Sequence, residues 1–82
     1  MIKVLFFAQI REVTGCDKLE IAASEGLTAE ALRQQLLSRG TKWQLALGDA
    51  NVLVAVNQTL SGWDTALHSG DEIAFFPPVT GG

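Results

Sequence analysis

The residues with the greatest chemical potential stand at the end of the 82-residue chain, Pro77-Pro78-Val79-Thr80-Gly81-Gly82. Two prolines favour a stiff, extended exit from whatever precedes them. Gly81 and Gly82 carry no side chains, so they can enter a channel too narrow for other residues and adopt any backbone angle there. The stretch from Pro78 onward reaches roughly 16–18 Å from the domain body. The reactive group at such a tip is the α-carboxylate of Gly82, with Gly81 and Thr80 behind it. A carboxylate resists nucleophiles at neutral pH, because its charge repels them and oxide is not a leaving group. Joined to AMP as a mixed anhydride it gains a leaving group, and a thiol, amine or sulfide can then attack. A Gly-Gly end therefore points to a carrier that is the substrate of an ATP-using activating enzyme. With Gly at roughly 7% of residues, two glycines in the last two positions coincide by chance in about 0.5% of chains.

Other residues offer less. Cys16 is the only cysteine, so no disulfide framework forms and a reducing cytoplasm fits. It reads either as a sulfur relay or as an incidental free thiol in a loop. His68 is the only histidine and shows no evident carboxylate or metal partner in the sequence; a surface turn residue competes with a general base. With one Cys and one His, a metal site built from clusters of them is excluded. Asp71, in the Gly70-Asp71 turn, is placed to hydrogen-bond local backbone. Trp43 and Trp63 read as packing residues more than stacking platforms, because the net charge of −3 and a pI near 4.8 argue against nucleic acid. Gly26, Gly40 and Gly48 punctuate elements and form no phosphate loop.

The elements that must position the tail follow from patterning. At 82 residues, 48% hydrophobic and 18% charged, the chain makes one small globular domain. No apolar run approaches the ~20 residues that span a bilayer. Met1 leads straight into Ile2-Lys3-Val4-Leu5-Phe6, with no charged n-region or small-residue cleavage site, and so reads as a strand start rather than a signal peptide. Residues 2–8 predict a central strand with Ile2, Val4, Phe6 and Ala8 on one face and Lys3, Leu5 and Phe7 on the other. Residues 9–17 read as mixed sequence ending in turn formers, and residues 18–22 as a half-buried antiparallel strand. Thr28 is placed as an N-cap, Leu27 and Leu32 have hydrophobic-staple spacing, and Gly40 is placed as C′, predicting a helix over 29–39. Ala29, Leu32 and Leu36 line its apolar face. A short helical turn over 41–48 packs Trp43 and Leu47. A strand over 52–56 turns at Asn57-Gln58 into Thr59-Leu60. Residues 61–72 read as loop, with a short strand near 65–67, and residues 73–76 as a last strand stopped by Pro77-Pro78.

This order predicts an α+β fold, a small sheet with one main helix on one face. The helix leaves the other face uncovered, with Leu5, Phe7, Leu53, Ala55, Ala74 and Phe76 on or near it. A domain this small buries only about 60–65% of its unfolded surface. Aromatic side chains on two separate strands of that face favour a docking surface over an ordinary exposed one.

The segments Met1-Ile2-Lys3-Val4-Leu5-Phe6-Phe7-Ala8, Ala55-Val56-Asn57-Gln58 and Leu67-His68-Ser69-Gly70-Asp71-Glu72-Ile73-Ala74-Phe75-Phe76-Pro77-Pro78-Val79-Thr80-Gly81-Gly82 carry a resemblance. Together they resemble the ubiquitin-like β-grasp sulfur carriers, and among them the small subunits of molybdopterin synthase. The Gly-Gly end alone is shared with ubiquitin-like proteins at large; the Gly-Asp turn followed by Phe-Phe-Pro-Pro-Val-Thr-Gly-Gly is far more specific. The resemblance covers nearly the whole chain and is weakest over 15–27. It implies a β-grasp domain over 1–78, a mixed sheet with one main helix on one face, and a flexible tail over 79–82. It implies that Gly82 is adenylated by an E1-like enzyme, becomes a thiocarboxylate with sulfur from a donor enzyme, and enters the large subunit of molybdopterin synthase. There sulfur passes to cyclic pyranopterin monophosphate to build a dithiolene. Phe7, Leu60 and Phe76 match the family's hydrophobic contact set. The chain alone is then neither an enzyme nor the holder of a cofactor, ATP being used by the activating enzyme. The implied assembly is a cytoplasmic heterotetramer around a dimer of large subunits, with no nucleic-acid or membrane partner. A thiamine-pathway carrier is the nearest alternative within the class; a ubiquitin-like interaction domain with an inert tail is the alternative outside it.

Overall fold

The computed structural model describes residues 1–78. Its elements are β1 (Ile2–Phe6), α1 (Ala8–Thr14), β2 (Lys18–Ile21), α2 (Ala29–Leu37), α3 (Thr41–Leu47), β3 (Leu53–Val56), β4 (Thr59–Ser61) and β5 (Glu72–Phe76). They build one five-stranded sheet in the order β2-β1-β5-β3-β4. The central pair, β1 and β5, is parallel, with Val4 opposite Ile73 and Phe6 opposite Phe75; the other pairs are antiparallel. Parallel neighbours require a long crossover, and everything between β1 and β5 supplies it. Both central strands end at the same edge of the sheet, so the chain leaves β5 for Pro77 where it leaves β1 for α1.

The core lies between the sheet and the helices. Ile2, Val4, Phe6, Val54, Ile73 and Phe75 are buried against Ile10 of α1, Ala29, Leu32 and Leu36 of α2, and Leu47 of α3. An aromatic row crosses this layer: Trp43 meets Phe6 edge-on at 5.3 Å, Phe6 stacks with Phe75 at 6.1 Å, and Phe75 stacks with Trp63 at 5.9 Å. Arg33 lies over Trp63 and Arg39 over Trp43, each about 5 Å from the ring, so both tryptophans are packing residues with a cationic cover.

α2 starts as its sequence dictates. Thr28 is the N-cap, its hydroxyl oxygen accepting from the Ala31 N–H at 3.1 Å. The Ala29 and Glu30 N–H groups donate to the carbonyls of Thr65 and Trp63, so the loop after β4 satisfies the remaining first-turn donors. Leu27 and Leu32, the staple pair, are both buried. The β3–β4 turn also forms as read: Asn57 (φ 52°) and Gln58 (φ 68°) take the left-handed angles of a two-residue hairpin turn.

Four expectations are corrected. Residues 9–14 are helical: β1 ends at Phe6, Phe7 is the N-cap of α1, and Ala8 opens that helix instead of extending the strand. α1 therefore joins the main helix α2 and the expected helical turn, α3, on the inner face. α2 ends at Leu37, capped by Ser38 in a right-handed conformation; Gly40 (φ 142°) is the N-cap of α3, because the chain turns directly from one helix into the next. The strand expected at 65–67 is a single bridge between Ala66 and Thr28, since that loop's backbone is committed to capping α2. The expected flexible tail, residues 79–82, lies outside the described residues.

Candidate functional site

On the outer face of the sheet the register places side chains in rows. Lys18, Leu5, Ala74, Ala55 and Leu60 run across all five strands, from β2 to β4. Phe76 pairs with Leu53 one row nearer the tail exit, and Glu20, Lys3 and Glu72 form a charged row on the opposite side. The apolar part of this face therefore lies toward the end from which the chain proceeds to Pro77. Phe7 flanks it: as the residue after β1 it leaves the strand and is 45% exposed. Leu60, on the edge strand, is 64% exposed. Phe76 is half-buried rather than largely exposed, as a residue of a central strand with a neighbour on each side. Leu60 and Phe76 thus share the outer face in neighbouring rows, while Phe7 follows the end of β1 as the N-cap of α1 and is not a strand residue.

A second apolar surface adjoins the exit from the helix side. Gln9, Ile10 and Val13 of α1, Leu45 and Ala46 of α3, Asp49, Val52, Pro77 and Pro78 line an open cleft of about 480 Å³. Its rim carries Leu45, 72% exposed, and Val13, 39% exposed, while Ile10 and Val52 are buried. Sequence reasoning missed this surface. Ile10 and Val13, three residues apart, are its only local signal, in a stretch whose sequence is mixed and ends in turn formers.

Arg33 organises the helices behind the cleft. Its Nε donates to the Leu47 carbonyl at 2.8 Å, at the C-terminus of α3, and its Nη1 pairs with Glu30 at 3.3 Å.

The remaining candidates lie elsewhere. Cys16 is half-buried and its Sγ contacts the Lys18 carbonyl at 3.2 Å, on the β2 side of the sheet. His68 does have a carboxylate neighbour, contrary to expectation: its Nδ1 lies 3.9 Å from Asp71 Oδ2 on an exposed loop. Asp71 accepts from the Asn57 side-chain amide at 3.0 Å and from the His68 backbone N–H at 2.8 Å. These bonds, the Asn57 amide foremost, hold its carboxyl below the usual carboxylate range. Asn57 in turn accepts from the Glu72 N–H at 3.0 Å. This cluster is a latch between the β3–β4 turn and the start of β5. Among the described residues no group of three His, Cys, Asp or Glu side chains is placed to hold a metal, and no helix is long and apolar enough to cross a membrane. Thr80, Gly81 and Gly82 lie outside the described residues.

A mixed sheet that grips its helices on one face, with an apolar outer face beside the exit of its last strand, defines a ubiquitin-like β-grasp protein. The chain belongs to the ThiS family, whose model matches residues 4–82. It is 58% identical to the molybdopterin synthase sulfur carrier subunit of Escherichia coli K12 over 82 residues, covering 100% of each chain. It is 54% identical to the subunit of the same name from Haemophilus influenzae, again over 100% of both. Among solved structures it matches a chain of the complex of subunits 1 and 2 of molybdopterin-converting factor from Helicobacter pylori, with a TM-score of 0.70 and 29% identity over 99% of this chain and 97% of that one.

Proposed function

We propose that this chain is the sulfur-carrier subunit of a molybdopterin synthase. The observation that carries the reading is its 58% identity to such a subunit over the full length of both chains. The geometry supports it: the apolar outer face and the point of departure toward Gly81-Gly82 share one edge of the sheet.

Chemically, Gly82 supplies the reacting carboxylate. Its oxygen attacks the α-phosphorus of ATP on an E1-like enzyme and pyrophosphate leaves. Sulfur at the sulfide level, delivered by a donor enzyme, then attacks the acyl carbon, and AMP leaves with the C–O bond. The resulting thiocarboxylate ionises well below neutral pH, so it is an anionic, polarizable nucleophile on a thin arm. The arm enters the large subunit, where the sulfur forms a C–S bond at a carbon of cyclic pyranopterin monophosphate as a C–O bond of that carbon breaks and its oxygen leaves as water or with the phosphate; two such transfers, one sulfur each, supply the dithiolene. Water then cleaves the acyl–sulfur bond, leaving sulfur on the pterin and restoring the Gly82 carboxylate. The partner's pocket provides cationic or N–H groups for the developing charge. The carrier holds no cofactor of its own; ATP belongs to the activating enzyme. It is a co-substrate rather than an enzyme, working in the cytoplasm in a heterotetramer built on a dimer of large subunits.

The test is intact-mass spectrometry of the chain incubated with its activating enzyme, Mg-ATP and a sulfur donor. The expected result is a mass gain equal to one oxygen replaced by sulfur, lost when Gly82 is removed. An unchanged mass beside a demonstrably active enzyme would overturn the reading and leave a ubiquitin-like interaction domain.

A further inference from the structure

We propose that Ala8 is a positioning residue: its left-handed backbone fixes the place of Phe7 before a partner arrives. The inference rests on the reading of Phe7 as a docking residue and assigns the residue that prepares it.

Among the described residues, glycine fills four positions of positive φ, Gly15, Gly26, Gly40 and Gly70. Asn57 and Gln58 fill two more as the β3–β4 turn. Ala8, at φ 52°, belongs to neither group. A residue with a Cβ is strained in this region, and asparagine, not alanine, is the type that tolerates it best after glycine. Packing does not account for the methyl group, because Ala8 is exposed. Glycine would make the same turn without the strain. Strained residues persist where the structure around them over-determines the backbone, and they gather at functional sites.

The neighbours of Ala8 show what holds it. Phe6 and Ile10, both buried in the core, pin the chain on either side. The Phe6 N–H donates to the Asp17 carbonyl at 2.9 Å. The Phe7 carbonyl accepts from the Ile10 N–H at 3.1 Å and from the Arg11 N–H at 3.4 Å. Between these anchors β1 must turn into α1 within residues 7–9. Phe7 stays extended, at φ −126° and ψ 157°, so the reversal falls on Ala8. The outcome is a large aromatic side chain, 45% exposed, on a backbone held from both ends. Glycine at position 8 would open backbone regions closed to alanine, and with them other directions for Phe7. A side chain ordered before contact loses less freedom on docking. The strain at Ala8 thus lowers the stability of the fold and leaves Phe7 in place to bind.

The test compares three full chains: the parent, Ala8→Gly, and a chemically synthesised chain with D-alanine at position 8. D-Alanine favours positive φ by mirror symmetry, so it removes the strain without adding freedom. Its urea midpoint should exceed the parent's. NMR relaxation of the free chains should give a lower order parameter for Phe7 in Ala8→Gly, and the parent's value in the D-alanine chain. In calorimetric titration with a molybdopterin synthase large subunit, Ala8→Gly should bind roughly three- to tenfold more weakly, and the D-alanine chain as the parent does. A residue that only strains the fold would move the midpoint and leave Phe7 order and affinity unchanged in Ala8→Gly, which would overturn the proposal. A lower midpoint in the D-alanine chain would overturn it too, by showing that Ala8 is not strained. Phe7→Ala, titrated alongside, separates the two readings. If it binds as the parent does, the docking role of Phe7 falls and this inference with it. If it binds weakly while Ala8→Gly keeps the parent's affinity, this inference alone falls.

Discussion

At the scale of single residues, Asp71 shows how one side chain fastens two distant segments. Its carboxylate bonds the Asn57 side-chain amide from the β3–β4 turn and the His68 N–H from the loop before β5. Those donors favour the charged form, so the folded pKa lies below the unfolded value near 3.9. A depressed folded pKa gives stability that is fully present above the unfolded value and is lost as pH falls through the folded one. The latch should therefore weaken only below about pH 4. Asp71→Asn should lower the urea midpoint at pH 7 and flatten its decline between pH 4 and pH 2. An unchanged acid slope in the variant would show that Asp71 is not the titrating group. Asp71 was legible as a turn residue, because Gly-Asp pairs favour local bonds. Its bond to Asn57, fourteen positions away, was not, because nothing in either segment announces the partner.

At the scale of elements, legibility followed how much of each element's stability is local. α2 was read because Thr28, Leu27, Leu32 and Leu36 carry its cap and its apolar stripe in adjacent turns. α1 was missed for the opposite reason. It has seven residues, its N-cap Phe7 makes no side-chain hydrogen bond, and only Ile10 is buried. Helices so short are marginal alone, and packing against α3 and β5 decides this one. The candidate site divides the same way. The outer-face residues showed in strands that are apolar on both faces, whereas the cleft needs α1 and α3 side by side, and they are 27 positions apart from Thr14 to Thr41. The β3–β4 hairpin was read from Asn57-Gln58, yet Gln58 holds φ 68°, where Asn-Gly is the favoured pair. A left-handed angle costs a residue with a Cβ roughly 1–2 kcal/mol, partly offset by glycine's greater loss of chain entropy. Gln58→Gly should accordingly raise stability by about 0.5–1 kcal/mol, measured by chemical denaturation. A lower stability would show that the Gln58 side chain makes a contact that outweighs the strain.

At the scale of the whole molecule, the proposed function assigns the sheet's two faces different tasks, one holding the fold together and the other meeting a partner. The sheet's inner face is closed by three helices, while Leu60 on its outer face and Phe7 just past the end of β1 stay exposed. Exposed side chains contribute less to stability than core ones, with surface substitutions usually within about 0.5 kcal/mol, and neither Phe7 nor Leu60 belongs to the buried core. Aromatic and apolar anchors at the centre of an interface often contribute more than ~2 kcal/mol each. Phe7→Ala and Leu60→Ala should therefore weaken binding to a molybdopterin synthase large subunit by roughly tenfold or more, while the circular dichroism spectrum and urea midpoint stay near those of the parent chain. Removing Gly82 should do the reverse: docking through Phe7, Leu60 and Phe76 largely persists and sulfur transfer stops. Gly81→Val should be nearly as damaging to transfer, because a branched side chain blocks a narrow channel and restricts the backbone. Titration calorimetry with the large subunit and a single-turnover sulfur-transfer assay, run on the same variants, resolve the two effects. If Phe7→Ala binds normally, or if it unfolds the domain, the outer face is not the docking surface. If loss of Gly82 abolishes binding as completely as transfer, the tail rather than the sheet holds the partner.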